Sequence, residues 1–262
     1  MSRPVIFLSD YGLEDGFVGI CRGVLEKFGA DRVIDLDHFI PPHDVLRGAA
    51  LLADAVPYFP DGAVYLAVVD PGVGGQRRAL AVEARSGAHL VGPDNGLLSL
   101  AWEALGGVVH AVEITSSEVL LHPVSPTFHG RDIFAPTAAR LTTDKNLTGL
   151  GPAVDAGALE RAAVPAPVIG DGLVEAEVLS VDRFGNVRLN VRPHDLATAG
   201  IARVVLVNGA ALSLAKTFSD VPQDRSGALW DSSGWLALVV NQGSAADRMG
   251  LRPASRALLT RG

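Results

Sequence analysis

Val5-Ile6-Phe7-Leu8-Ser9-Asp10 is a run of four apolar residues closed by a hydroxyl and a carboxylate. An apolar run without alternation is what a strand buried on both faces requires, and such strands belong to parallel sheets covered by helices. Just downstream, Glu14 to Phe28 sets Phe17, Ile20, Cys21, Val24 and Leu25 at helical spacing. A second strand is expected over Val33–Leu36 and a second helix, rich in Ala and Leu, over His43–Val56. A third strand over Val64–Val69 runs into Asp70-Pro71-Gly72. This alternation predicts α/β layers with right-handed crossovers and a mainly parallel sheet. Arg78–Glu83 and His89–Val91 read as further strands, Pro93-Asp94-Asn95-Gly96 as a turn and Leu97–Leu105 as a helix.

The composition then changes. Ala162–Gly172 (AAVPAPVIGDG) is rich in Pro, Ala and Gly and has no helical period. Beyond it come short alternating segments, Val174–Val181, Val187–Val191, Ala202–Val207 and Trp235–Val240, parted by Asn, Gly, Asp and Ser. The expectation is an α/β domain over residues 1–162, a linker over 163–172 and a small all-β barrel over 173–262.

Several classes of function are excluded by composition. Hydrophobic residues make up 48% of the 262 positions and the mean hydropathy is +0.28, enough for a large core. The longest apolar stretch, Val204–Ala215, is interrupted by Asn208 and Gly209 and is too short for a transmembrane helix. Met1-Ser2-Arg3-Pro4 leads straight into the first strand without the apolar stretch and cleavage site of a secretory signal, so a cytoplasmic protein is expected. A single cysteine, Cys21, rules out a disulfide framework and a thiolate-rich zinc site, and its neighbours suit buried packing. Twenty-two basic against 29 acidic residues give a net charge of −7 with no basic block, so neither nucleic acid nor an anionic membrane is an expected partner.

Ligands of open α/β sheets bind beyond the carboxyl ends of the strands. Two expected strands end there in acidic turns, Ser9-Asp10-Tyr11-Gly12 and Asp70-Pro71-Gly72-Val73-Gly74-Gly75. The second is neither a P-loop, lacking Lys-Ser/Thr, nor the dinucleotide fingerprint, which belongs after the first strand. Asp10 and Asp70 each suit a turn cap, but a carboxylate at a strand end also suits the two vicinal hydroxyls of a ribose. Gln76-Arg77-Arg78 brings cations within reach of Asp70, and Thr127-Phe128-His129-Gly130-Arg131-Asp132 adds a histidine, with Arg131-Asp132 readable as an ordinary surface pair. Asp35, Asp37, His38, His43 and Asp44 offer oxygen and nitrogen donors, but at no spacing typical of a metal site, and none is assigned.

Taken together, these segments resemble the S-adenosyl-L-methionine (SAM) hydroxide adenosyltransferases, relatives of the fluorinase and chlorinase. The resemblance is carried by Leu8-Ser9-Asp10-Tyr11-Gly12 with Asp15, by Val69-Asp70-Pro71-Gly72-Val73-Gly74 with Arg77-Arg78, and by Pro93-Asp94-Asn95-Gly96-Leu97-Leu98. It continues through Pro126–Asp132, Asp182-Arg183-Phe184-Gly185-Asn186 and Asn241-Gln242-Gly243-Ser244. It implies a homotrimer with each SAM site between the N-terminal domain of one subunit and the C-terminal domain of a neighbour. It further implies Asp70, Arg77 and His129 as the catalytic triad of the hydroxide-using members. Asp10 matches the acid on the ribose diol, Asp15 accompanies the first motif, Asp182 matches the acid on the methionine ammonium and Asn186 the residue at the adenine edge. Phe128 and Phe184 match pocket walls, and Gln242 a position that meets adenine through its backbone. Ser232-Ser233 stand where the halogenating relatives have serine and arginine to hold the methionine carboxylate, so the arginine is missing and Ser232 alone is carried over. His43 replaces a tryptophan of those relatives.

The implied substrate is SAM and the products are adenosine and L-methionine, with no further cofactor. Methionine departs from a sulfonium as a neutral thioether and needs no general acid, so the chemical demand falls on the nucleophile. Arg77 with His129 can favour hydroxide electrostatically, or His129 can take a proton from water as a general base. Three alternatives stand beside this reading. An adenosyl halogenase would carry an insertion where this chain has only Ala84–Leu90, and Asp70 would repel its halide. A non-catalytic SAM or adenosine sensor would not need the triad. A metal-dependent hydrolase would draw on the acidic clusters.

Overall fold

All five residues of the opening strand, β1 (Val5–Ser9), are buried. The computed structural model describes residues 2–202 and 204–261, and contacts divide the chain into two units, Met1–Ala163 and Val164–Gly262.

In the first unit β1 is followed by α1 (Phe17–Lys27), β2 (Val33–Asp37), α2 (Val45–Ala55) and β3 (Val64–Val68). Next come β4 (Ala79–Ala84), β5 (His89–Pro93), α3 (Ser99–Ala104), β6 (Val108–Glu113) and α4 (Ala135–Leu141). The six strands form one sheet in the order β2-β1-β3-β5-β4-β6. Alternate residues of β1 explain its unbroken apolar run. Val5 and Phe7 pack into a core shared with α1 and α4, whereas Ile6 and Leu8 pack into the core on the other face with Leu52 of α2 and Trp102 of α3. Both faces are therefore dry.

The sheet is mixed, with three of its five pairings parallel. Strands β1, β2, β3 and β5 run parallel, but β4 is antiparallel to both β5 and β6. Only Arg85–Ala88 link β4 to β5, and a parallel pair needs a crossover of a dozen or more residues. Helix α1 is also shorter than expected. Val18, Cys21, Val24 and Leu25 face the core, but Phe17 and Ile20, expected on the same face, are 43% and 47% exposed.

The second unit is an antiparallel sheet. It comprises β7 (Val168–Gly170), β8 (Leu173–Val181), β9 (Val187–Leu189), β10 (Val204–Val207), β11 (Ala210–Ser213), β12 (Ser226–Trp230), β13 (Leu236–Val240) and β14 (Arg256–Arg261). Short helices α5 (Pro193–Thr198) and α6 (Ala245–Met249) lie between strands. The pairing path is β11-β10-β14-β8-β9-β13-β12, with β7 on β8. The expected barrel is not closed by a ladder among the described residues. The two ends of the path meet at one isolated bridge, Leu214 to Ala228, where Ala215 N–H donates to the Ala228 carbonyl at 2.8 Å. The segment expected to be a linker carries β7, and the strand expected over Ala202–Val207 begins at Val204, Arg203 lying outside the described residues. No helix among the described residues is long and apolar enough to cross a membrane.

Candidate active site

Neighbouring parallel strands β1 and β3 end side by side, so the turns that follow them are brought together. After β1, Ser9 Oγ contacts His38 Nδ1 at 2.7 Å and Gly12 N–H donates to the His38 carbonyl at 2.7 Å, fixing the turn. Gly12 has φ 66°, a left-handed conformation that glycine adopts without strain. Asp10 is thereby presented to the loop before α2, where its Oδ2 accepts the His43 backbone N–H at 3.0 Å.

After β3, the loop from Asp70 folds back so that Arg77 reaches Asp70. Arg77 Nε donates to Asp70 Oδ1 at 2.9 Å and Oδ2 at 3.1 Å, and its Nη2 donates to Oδ2 at 2.5 Å. The same Nη2 lies 2.8 Å from His129 Nδ1. Asp70 and Arg77 are nearly buried, with side chains 6% and 11% exposed, and the guanidinium sits 5.3 Å from the centre of the Phe134 ring. Charge-assisted hydrogen bonds in so dry a setting hold a fixed geometry. The turn-cap reading of Asp70 gives way to this pairing, since its carboxylate is taken by Arg77.

His129 stands at the start of a π-helical turn, Gly130–Phe134, that runs into α4. Single π-turns within helices re-aim side chains and recur at functional sites. Asp132 anchors the turn. It is fully buried, accepts the Ser125 N–H at 2.8 Å and two bonds from Arg131, and Arg131 in turn lies 5.0 Å over the Phe128 ring. Asp132 is thus a buried anchor, with a part-exposed Arg131 paired to it. Gly74 permits the close approach of the two loops, because a Cβ there would sit 2.3 Å from the Pro126 carbonyl oxygen.

Burial, and then the Arg77 charge, push the His129 pKa below its usual value against the opposing pull of Asp70 and Asp132. The ring is therefore neutral near pH 7. Because an arginine can only donate, His129 Nδ1 is the acceptor and the ring proton belongs on Nε2. Nε2 makes no hydrogen bond to protein among the described residues. His129 lines a cavity of about 280 Å³ together with Asp10, Tyr11, His43, Asp70 and Phe128. Tyr11, Phe17 and Phe128 pack ring against ring there at 5.2 to 6.0 Å. Asp15 is exposed and does not line this cavity.

The second unit gathers its own motifs. Asp182 shapes the turn between β8 and β9. Its Oδ1 accepts the Phe184 and Asn186 N–H groups at 2.8 and 2.9 Å, and its Oδ2 accepts Asn186 Nδ2 at 2.8 Å. Gly185 (φ 79°) packs on Ser244, where a Cβ would lie 2.2 Å from Oγ, so the 182–186 and 241–244 segments meet. Phe184, Asn186, Phe218 and Gln242 line a cavity of about 510 Å³, with Phe184 77% exposed. Gln242 has φ 61° and accepts from Gln223 through Oε1 at 3.1 Å. Ser232 lies outside this cavity on the exposed turn after β12. Beside it, Arg188 pairs with Asp231 at 2.6 Å and reaches Ser233 Oγ at 3.4 Å.

Tyr11, Phe17, Val73 and Thr127 were not singled out by sequence reasoning as cavity walls. Three of them lie inside or beside the quoted motifs, which was the available signal. Helical period places Phe17 on the core face, whereas it lines the cavity.

Fold and site together describe a chain of the α/β class with an aspartate–arginine–histidine cluster and a cavity beyond its strand ends. The chain belongs to the SAM hydroxide adenosyltransferase family, whose N-terminal domain matches residues 5–151 and whose C-terminal domain matches residues 176–257. It is 50% identical over 262 residues to the (R)-S-adenosyl-L-methionine hydrolase of Salinispora tropica, covering 98% of each chain. A fluorinase of Actinoplanes sp. is more distant, at 28% identity over 91% of each chain. Among solved structures, a conserved protein of Thermotoga maritima superposes with a TM-score of 0.89 at 32% identity, over 98% of this chain and all of that one.

Proposed function

We propose that the chain hydrolyses SAM to adenosine and L-methionine. The oxygen of water or hydroxide forms a bond to ribose C5′ and the C5′–S bond breaks with its electron pair going to sulfur; the one proton released overall leaves the water either before the attack, when hydroxide is the nucleophile, or after it. The observation that carries this reading is the Asp70–Arg77–His129 chain of hydrogen bonds ending at a cavity. The relatives' names agree with it. The reaction needs no cofactor, because the leaving group is a neutral thioether.

The geometry favours electrostatic handling of the nucleophile over general-base catalysis. With Nδ1 occupied by Arg77, the neutral ring has a proton, not a lone pair, at Nε2. His129 Nε2–H then donates to the nucleophile's oxygen, and the Arg77 charge behind it stabilises hydroxide. Asp70 holds Arg77 in place and balances its charge. In the same reading Asp10 takes the ribose hydroxyls, and Phe128 and Phe184 form walls. Asp182, Asn186 and Gln242 meet the methionine ammonium and the adenine, with Ser232 near the carboxylate and Asp15 supporting the first loop. The functional assembly is a homotrimer in which the second unit of one copy completes the cavity on another. The 77% exposure of Phe184 supports this, since an aromatic wall needs a covering surface. The single, unpaired Cys21 fits the cytoplasm.

Incubation with SAM in chloride or fluoride, with the products separated by chromatography, tests the choice of nucleophile. Adenosine is expected as the main product in both salts. A halogenated adenosine as the main product would replace this reading with the halogenase one.

A further inference from the structure

The Asp70 and Arg77 side chains depend on a loop of eight residues, and both ends of that loop are held by one dipeptide, Asp94-Asn95, at the end of β5. At the entry, Asn95 Nδ2 donates to the carbonyl of Val69, the residue before Asp70, at 2.9 Å. At the exit, Asp94 N–H donates to the carbonyl of Arg78, the residue after Arg77, at 3.0 Å, while Arg78 Nε donates to Asp94 Oδ2 at 2.7 Å. Adjacent arginines therefore point to different partners, Arg77 to the triad and Arg78 to Asp94. The Asp94 side chain is only 3% exposed, and its other oxygen accepts the Glu160 N–H at 2.9 Å. Asn95 completes its own bonding by accepting the Leu97 N–H at 3.1 Å through Oδ1.

We infer that Asp94 and Asn95 are positioning residues for the reaction, a two-ended clamp that sets the reach of Arg77 to His129. The physical reason lies in the loop. Pro71-Gly72-Val73-Gly74-Gly75 is glycine-rich and closes with only two internal backbone bonds, Val73 to Asp70 and Gly75 to Gly72. Such a segment does not set its own end-to-end distance, whereas catalysis falls steeply when a catalytic group moves by about 1 Å. The clamp touches neither the cavity nor the nucleophile, so it acts on turnover through Arg77 and leaves substrate binding alone. This inference rests on the proposed hydrolysis, and its test separates the two.

Asn95→Asp keeps the acceptor for Leu97 and deletes the donor to Val69. Two readouts are taken on the full chain. The first is the 15N shifts of the His129 ring, measured without substrate. Wild type is expected to show a proton on Nε2 and an accepting Nδ1, and the variant to lose that pattern. The second is turnover at saturating SAM, expected to fall roughly tenfold to a hundredfold while the SAM dissociation constant stays within about twofold. Val112→Ala, a core truncation on β6, serves as a control that lowers the melting temperature without changing either readout. Should Asn95→Asp not fold, Asp94→Asn carries the same expectations from the other end of the loop. Unchanged ring shifts, or turnover within twofold of wild type, would overturn the clamp. Wild type that releases no adenosine yet shows the expected shift change would sink the hydrolysis reading and leave the clamp standing.

Discussion

His129 and Arg77 divide the proposed handling of the nucleophile between a hydrogen bond and a charge, and each role can be removed singly. Asp70→Ala would strand a nearly buried guanidinium, at a cost of about 3–5 kcal/mol, so Asp70→Asn is the cleaner variant. Asp70→Asn and His129→Ala are each expected to lower turnover by roughly a hundredfold or more with SAM affinity little changed. Asp10→Ala is expected to do the opposite, weakening binding strongly. Calorimetric titration beside steady-state rates checks both, and an Asp10 variant with unchanged affinity would contradict the ribose assignment. The pH dependence follows from the ring. Burial and Arg77 disfavour imidazolium, so His129 stays neutral as pH falls through 6.5 and protonates only below it. Protonation removes the acceptor for Arg77 and sets two cations side by side. Turnover should therefore hold down through pH 6.5 and fall below that, and an acid limb centred above 6.5 would contradict the neutral ring. None of this contact was legible from spacing, because His129 lies 52 residues from Arg77 and only the fold joins them. The residue types were legible, since Asp70 and Arg77 belong to one loop.

At the scale of elements, two packing features carry their own tests. The π-helical turn begins at Gly130, where a Cβ would stand 2.2 Å from the Tyr11 hydroxyl and 3.2 Å from its Cζ. Gly130→Ala is expected to destabilise by about 1–3 kcal/mol, and adding Tyr11→Phe to recover part of that loss in denaturant melts, since it deletes the nearest clashing atom. Strand β5 begins at His89, which is buried, accepts from Arg3 at 2.5 Å through Nδ1 and leaves Nε2 without a hydrogen bond among the described residues. Burial, reinforced by Arg3, pulls its pKa down to about 4, against about 6.5 in the unfolded chain. The unfolded state therefore binds the proton first. The stability contributed by neutral His89 is complete above about pH 6.5 and is lost as pH falls toward 4. His89→Gln should flatten the slope of unfolding free energy across that window, and an unchanged slope would refute the assignment. Elements whose signal was local were legible. The run Val5–Leu8 gave a strand dry on both faces, whereas the antiparallel β4–β5 pair is not among the expectations from sequence, although its link is too short for a parallel crossover. Asn208-Gly209, with φ 48° and 90°, forms the two-residue hairpin between β10 and β11, so the break in the apolar stretch is a turn joining two paired strands. Strand β6 escaped notice because Val109 is 56% exposed and its residues do not alternate cleanly.

For the whole molecule, the proposed assembly predicts complementation. Asp70→Asn damages the first unit and Asp182→Ala the second, so each variant alone should be inactive. When the two are unfolded, mixed and refolded, some shared sites combine an intact first unit with an intact second unit from another copy. Adenosine release should then return, to a fraction of wild type set by the mixing ratio. A mixture as inactive as its parts would contradict a site completed by a neighbouring copy, as would a monomer in sedimentation. The composition changes at Ala162–Gly172, near where contacts divide the chain, but the open path of the second sheet was not legible, because alternation fixes which residues face a core and not whether a ladder closes. Activity is also expected to survive exhaustive chelation, since no step of the proposed reaction needs a Lewis acid. The most direct measurement is product analysis after incubation with SAM in 18O-labelled water. The account predicts that adenosine accumulates with one label at its 5′ oxygen and that methionine carries none. Unlabelled adenosine, or label in methionine, would contradict attack of solvent oxygen on C5′.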